Sequence, residues 1–542
     1  MIRFAKSLLF AILLTALFVA RGQAQTINAA SCNSSDVQSA LSKVGADGTT
    51  VSIPAGTCTW TTGVTYNQVY STIIQGQSTT TGTCAPGGSC AATDSTNITL
   101  SGGFTVTTVA GKSLRLTGIS FATTGSVKYG ALTLNGASTA VRVDHNHFTE
   151  NISGEHTIQV DGIRGVFDHN YLQTPLGENI NFFQVGNYGA APGTADTIWT
   201  QPENFGSSDF VYIENNYFYG SFIYDCDYGG KIALRYNILW YGTQIQTHGT
   251  GSGGRIRGCR ATETYENSFT YGAAGTTFFA VVDYEGGPSM WWGNTVSGFD
   301  RLLREQEVRA STITYTQNTP PAGWGYCGTT QTGAASNWDR NGNSTGYACL
   351  DQVGRGAGDL LQGGFTSDGS GSNNVCDANT TNCAKGIYTG SWPNQALIPT
   401  YAWTNTFNPD GDPQYYWQNL NSFDPVVENR DYYLQLPNIN ESATFNGTAG
   451  IGQGSSLPST AFPTCTTNSS SDAIAAGTTW LGISVSGHWG PGYWDTSNST
   501  LYVCTATNTW TAYYTPYTYP HPLVGSGSTS VSAPTNLTAT VN

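Results

Sequence analysis

Three carboxylates, Asp144, Asp168 and Glu214, hold the same place in three successive copies of one short pattern, and Arg235 holds it in the fourth. Carboxylates stacked about 5 Å apart repel by roughly 3 kcal/mol at an effective dielectric of 20, and by under 1 kcal/mol when fully hydrated. A column partly shielded by a loop, such as Gly189–Ser208, would therefore want a cation; a fully solvated column would need only Arg142 and Arg235 as counter-ions. A second group gathers Tyr224, Asp225, Asp227 and Tyr228 with His248, Arg255, Arg257, Arg260 and Glu263. Its Gly-rich run GTGSGG lets backbone approach a ligand closely. Guanidinium forks suit the carboxylates of uronate sugars. Eliminative cleavage of such a sugar needs its carboxylate neutralised, its C5 proton removed and its leaving oxygen protonated, and Arg, His and Tyr side chains can fill these roles. The alternative is a turn whose Arg side chains bridge neighbouring segments. Trp240, Tyr241, Tyr284, Trp291 and Trp292 could stack on sugar rings or pack under a loop.

The elements that must position these residues are repeats. VRVDHNHF, GVFDHNYL, VYIENNYF, IALRYNIL, TETYENSF and SMWWGNTV place an Asn at 146, 170, 216, 237, 267 and 294, with spacings of 24, 46, 21, 30 and 27. Only the 46 is out of line, and Gly189–Ser208 reads as an insertion within it. Units this short cannot bury an apolar face alone, so they must stack. Val141 and Val143, Val211 and Ile213, and Ile232 and Leu234 alternate with polar or mixed residues, which marks strands. Coils of this length built from parallel strands predict an all-β, right-handed parallel β-helix with coils about 4.8 Å apart. Counting from each Asn, residues −5 and −3 point inward and −4 and −2 outward. The Asn itself is expected at a bend, in left-handed geometry, with its amide bonded to its neighbours above and below. SLRLTGISF supplies an earlier coil with Ile119 at the Asn place, and YAWTNTF a later one with Asn405.

These motifs carry a family resemblance. DGIRGVFDHNYL is similar to coils of the pectate-lyase-like superfamily, and HGTGSGGRIRGCRATETYENSF, LDQVGRGAG, NRDYY and YTPYTYPHPL resemble a set of secreted bacterial right-handed β-helix repeat proteins. The resemblance implies Ca2+ on an outer face, with Asp144, Asp168 and Glu214 as ligands and Arg235 as the base. The residues of the second group point to an extracellular polysaccharide as partner, cleaved by a lyase of acidic glycans, with His248, Arg255, Arg257, Arg260 and Tyr224 as further catalytic candidates. Asp225, Asp227, Tyr228, Glu263 and Trp292 would bind substrate. The rival reading is a non-catalytic surface protein: an adhesin, a glycan binder or a filament subunit.

The rest of the chain frames this solenoid. Arg3 and Lys6, an apolar run over residues 8–20 and small residues at 22–24 read as a signal peptide over 1–24, so export is expected. The twelve cysteines fall as neighbours: Cys32 with Cys58, Cys84 with Cys90, Cys226 with Cys259, Cys327 with Cys349, Cys376 with Cys383, and Cys465 with Cys504. Such pairs suit disulfides in an oxidising compartment better than metal sites. A net charge of −14 argues against nucleic acid and anionic membranes, and no second long apolar run suggests a membrane span. The β-helix is expected over 25–300, with Ser34–Val44 as a capping helix whose N-cap is Ser34 or Ser35. Late coils interrupted by a long insertion are expected over 301–410, and a Tyr/Trp-rich cap or flanking sheet over 411–524. Residues 525–542 read as a linker and a fibronectin-III-like strand, a segment through which chains could assemble.

Overall fold

The computed structural model describes residues 25–80, 92–124, 129–150, 156–174, 181–186, 202–220, 222–241, 245–247, 258–271, 278–305, 353–358, 395–409, 415–419, 426, 428–467, 478–480, 483–485 and 489–525. Among them, three parallel sheets of twelve, ten and ten strands run the length of the molecule. The first sheet runs from Thr26–Asn28 to Tyr432–Leu434, the second from Gly56–Trp60 to Thr406–Asn408, and the third from Val64–Asn67 to Tyr415–Asn419. Each coil visits the three sheets in that order, which is the parallel β-helix the repeats require.

Alternation decides which side chains fill the interior. Leu116, Val143, Phe167, Ile213 and Leu234 lie in register on the first sheet and are buried. Phe121, Phe148, Leu172, Phe218, Leu239, Phe269 and Val296 form the matching row of the second. Burying each such side chain contributes about 1.5–3 kcal/mol. No coil has this core to itself, so the coils stabilise one another along a single continuous cluster.

The Asn ladder holds the corner between the first and second sheets. Asn170 Oδ1 accepts from Asn146 N at 3.0 Å and from Asn146 Nδ2 at 3.1 Å, and the same pair of bonds links Asn170 to Asn216, Asn216 to Asn237, Asn237 to Asn267, Asn267 to Asn294 and Asn294 to Asn405. Ile119, at the expected place, donates its N–H to Asn146 Oδ1 at 3.1 Å. One expectation changes. The left-handed residue is the one before each Asn: His145, His169, Asn215, Tyr236, Glu266 and Thr404 have φ between 51° and 56°. Left-handed geometry costs such residues roughly 1–2 kcal/mol each, and the ladder bonds offset it.

The helix α1 spans Ser34–Leu41, shorter than expected, and its N-cap is Asn33, which makes no side-chain capping bond. It packs on the first strands of the second and third sheets. The Gln38 side chain accepts from Thr65 N and donates to Thr65 O, both at 2.9 Å, so an amide side chain satisfies the bare edge of the third sheet. Of the six expected disulfides, Cys32–Cys58, Cys226–Cys259 and Cys465–Cys504 are formed. The other three expected pairs, Cys84 with Cys90, Cys327 with Cys349, and Cys376 with Cys383, lie outside the described residues. So do the signal segment, most of the long insertion and the tail after 525.

Ile451–Gly454, Gly492–Asp495, Thr500–Ala506 and Thr509–Tyr514 form a four-stranded sheet. It packs its aromatic face on Met290, Trp292, Tyr401, Trp403 and Tyr433, the outward residues of the late first-sheet coils. The chain then turns back and runs along the first sheet toward its earlier coils.

Asn216 tests the ladder. Asn216→Leu leaves the Asn170 N–H and the Phe167 carbonyl without their partners. The expected loss is about 1–3 kcal/mol in chemical denaturation; unchanged stability would remove the ladder from the account of this fold.

Candidate functional site

The column singled out in the sequence exists. Thr117, Asp144, Asp168, Glu214, Arg235, Tyr265, Trp292 and Trp403 stand in register, one coil apart. Contrary to the expectation of a solvent-facing row, Asp144, Asp168, Glu214 and Arg235 are each 0% exposed. Each carboxylate is held by a guanidinium. Arg115 Nε and Nη2 lie 2.8 and 2.6 Å from the two oxygens of Asp144, and Arg142 Nε and Nη2 lie 2.9 and 2.8 Å from those of Asp168. Arg115 and Arg142 occupy the −4 place of one coil and pair with the −2 carboxylate of the next. Glu214 Oε2 receives Arg235 Nε at 2.7 Å. Burial alone would raise the Asp144 pKa, but bonds from Arg115 and His145 outweigh it and hold this carboxyl far below the usual range.

What buries the column is residues 514–524. Arg235 donates to the carbonyls of Tyr517 and Thr518 at 2.8 and 2.9 Å, and Glu214 Oε1 accepts from His521 N at 2.8 Å. Arg142 reaches the carbonyl of Val524 at 3.0 Å. Tyr519 stacks on Tyr236 at 3.7 Å and donates to Asn215 Oδ1 at 2.7 Å. The column thus reads the backbone of a returning strap, residue by residue. Ca2+ does not fit here. It needs several carboxylate oxygens converging on one point, and these oxygens are already taken by guanidinium, imidazole and backbone donors. Among the described residues no group of three or more His, Cys, Asp or Glu side chains is placed to hold a metal ion.

The second predicted group divides. His248, Arg255 and Arg257 lie outside the described residues. Tyr224 points inward and is a core residue, so its hydroxyl faces no solvent. Arg260 is buried with Nη2 2.6 Å from Glu203. Glu263 is buried where the 202–208 segment meets the strap, accepting from Gly206 N at 2.7 Å and from Tyr514 Oη at 3.0 Å. Burial pushes its pKa up to about 7. Trp292 stacks between Tyr265 and Trp403 and donates to Tyr514 Oη, so its rings serve packing. Tyr228 occupies a left-handed turn, φ 48°. Asp225 and Asp227 lie on, and just after, the third sheet's Phe222–Cys226 strand, and both are buried.

That third-sheet face is the region sequence reasoning passed over. Thr105, Thr133, Gln159, Gln184, Asp225, Gln246, Asp283, Arg304 and Gln418 stand in register on nine successive coils, all polar. Beside this row run Thr107, Asn135 and Asp161. Gln159 Nε2 donates to Asp161 Oδ2 at 2.9 Å and Gln184 Nε2 to Asp227 Oδ2 at 3.3 Å. Asp161 is half-buried; burial lifts its pKa to about 6, against the Gln159 bond, which lowers it. Asp283 is paired with Arg304, whose Nε lies 2.5 Å from Oδ1. A polar outward row was visible in the letters of HTIQVD, NFFQVG and FIYDC, but these segments lack the Asn motif that makes the first sheet easy to align.

Comparisons with protein families, with curated proteins and with solved structures find no match to this chain. The β-helix therefore stands on its own geometry.

Two outcomes test the buried column. Arg235→Ala strips the partner from buried Glu214, a change that typically costs about 3–5 kcal/mol, and releases two strap carbonyls. Limited proteolysis should then cut within 514–525 faster than in the parent; equal rates would mean that Arg235 does not hold the strap. His521 tests the same dock by pH. Burial, with Arg235 and Arg142 nearby, depresses its pKa from 6.5 to about 4. The folded state thus prefers neutral imidazole, and this contribution is complete above pH about 6.5 and is lost as pH falls toward 4. His521→Asn should flatten the decline in stability over that window; an unchanged slope would exclude His521 as its source.

Proposed function

We propose that this protein is exported, that it binds an extracellular polysaccharide along the outer face of the third sheet, and that it cleaves it with Asp161 as proton donor. The observation that supports this is the unbroken polar row across nine coils, with a carboxyl beside it that retains a proton near pH 6. Three disulfides suit export, and no helix of the described residues is long and apolar enough to cross a membrane. A linear polymer fits a flat, polar, repeating face, because amide and carboxyl groups recur every coil and sugar hydroxyls can pair with each.

Cleavage of a glycosidic link needs a proton delivered to the leaving oxygen. An Asp at its usual pKa near 3.9 is almost fully ionised at neutral pH; Asp161, with a pKa near 6, keeps a useful protonated fraction. Asp283 with Arg304, and Arg301 nearby, give the far end of the face a mixed charge that suits an acidic, uronate-bearing chain. Proton delivery to the leaving oxygen is common to hydrolysis and to the β-elimination of a polysaccharide lyase; the products distinguish the two.

The test is incubation with a panel of uronate and neutral polysaccharides, reading unsaturated products by ultraviolet absorbance and new reducing ends by colorimetry. Asp161→Asn should lower kcat at least about 100-fold with little change in affinity, as removal of a general acid does. Full activity in that variant would overturn the assignment, and binding without any product would favour a non-catalytic glycan binder.

A further inference from the structure

The second sheet carries a different chemistry. A carboxylate, an imidazole and a hydroxyl stand there in a row, outside both regions described above. Asp94 directly follows the short hairpin of Thr79–Thr80 and Ala92–Thr93. His147 and Thr149 are outward residues two apart on the His147–Thr149 strand. His147 Nδ1 lies 3.1 Å from each oxygen of Asp94, and its Nε2 lies 3.3 Å from Thr149 Oγ1.

The neighbours fix both ends of the row. Ser120 donates to Asp94 Oδ1 at 2.5 Å and orients that carboxylate. Tyr171, one coil on, lies parallel to the imidazole at 4.7 Å and 5°. Gln173 Nε2 donates to Thr149 Oγ1 at 3.0 Å. A carboxylate only accepts, so Nδ1 carries the hydrogen that faces Asp94. In the neutral ring Nε2 is then the bare nitrogen, placed to take the Thr149 hydrogen. This proton order, O–H to N and N–H to carboxylate, is the one a nucleophilic relay needs. His147 is buried, Thr149 is half-buried, and the Asp94 side chain is 37% exposed, so a substrate can approach the hydroxyl while the base stays shielded.

We propose that Asp94, His147 and Thr149 form a catalytic relay that hydrolyses O-acyl esters carried by sugar hydroxyls. Thr149 Oγ1 attacks the ester carbonyl carbon while its proton passes to His147 Nε2. The tetrahedral centre collapses, the carbon–oxygen bond to the sugar breaks, and His147 returns the proton to the sugar oxygen. Water then attacks acyl-Thr149, giving a proton to His147 and releasing the carboxylic acid as Thr149 regains its hydrogen. Asp94 holds the imidazole in the required tautomer and balances its charge when protonated. The Gln173 amide donates to the attacking oxygen at 3.0 Å and fixes its position. A Nε2 to Oγ1 distance of 3.3 Å is within the looseness of sites without substrate.

The sugar assignment comes from the row that continues from Thr149. Its next outward members are Gln173, Tyr219 and Trp240, one coil apart, and both aromatic residues are half-buried. Aromatic rings beside amide groups suit a sugar, which has apolar ring faces and polar edges.

The experiment uses the full chain with 4-nitrophenyl acetate and with an O-acetylated polysaccharide, reading 4-nitrophenol and free acetate. Thr149→Val and His147→Phe should each lower kcat at least about 100-fold, while Thr149→Ser, which keeps the hydroxyl, should retain most of the turnover. A fluorophosphonate should label the peptide containing residue 149 in the parent and in Thr149→Ser, and fail to label it in Thr149→Val. Unchanged melting of Thr149→Val separates loss of chemistry from loss of fold. Acetate release no faster than in buffer, equal turnover by Thr149→Val, or a label elsewhere in the chain would each overturn the proposal.

Discussion

In a parallel coil, a side chain leaving a strand meets the same position of the next coil about 4.8 Å away. Nearly everything here follows from that enforced nearness. Apolar side chains so placed make a continuous core, and amides so placed make the Asn ladder. Ions so placed must resolve their repulsion. The solution on the first sheet is diagonal: a guanidinium at −4 of one coil reaches the carboxylate at −2 of the next, so Arg115 serves Asp144 and Arg142 serves Asp168. No dissolved cation is needed, because the chain supplies a cation for each of these carboxylates.

The same nearness explains what could be read from the letters. Asn146, Asn170, Asn216, Asn237, Asn267 and Asn294 align by eye because each makes the same bonds to the next, so each coil demands the same residue. Inward and outward assignment on the first sheet followed at once from alternation. What alternation cannot tell is whether an outward residue meets water. Asp168 and Glu214 are outward and fully buried, because residues 514–524, far later in the chain, lie on top of them. The sequence does contain the signal, since YTPYTYPHPL is far too aromatic for a solvated tail, but its docking place depends on the path of the whole chain. Tyr224 failed for a simpler reason: in FIYDC the inward residues are Tyr224 and Cys226, and a tyrosine in a core looks like one at a site.

The left-handed residue shows how a local cost is met by a distant bond. His145, His169, Asn215, Tyr236, Glu266 and Thr404 share that geometry, yet only the two histidines and Asn215 belong to types enriched in it. Identity there is free because the following Asn carries the stabilising bonds. A freed position one coil apart from its equivalents then becomes a place to put rings or charges. His145 and His169 stack at 5.2 Å, and Tyr236 provides the shelf for Tyr519.

The three outer faces therefore have different fates, decided by what lies on them. The first is spent on structure: its ions hold a strap, and its late coils hold an aromatic sheet. Among the described residues the third stays polar along its length, with the Asp161 pKa raised to about 6 by burial, against the Gln159 bond that lowers it. The second mixes short polar relays with aromatic residues. The Arg115 fork and His145 hold the Asp144 carboxyl below its usual range and make it a poor proton donor, whereas burial raises that of Asp161, which has no such fork among the described residues. Chemistry is therefore to be sought where the solenoid leaves its carboxylates without arginine, and on that criterion the buried column, which the sequence advertises most loudly, ranks behind the third sheet's plainer row of glutamine and aspartate.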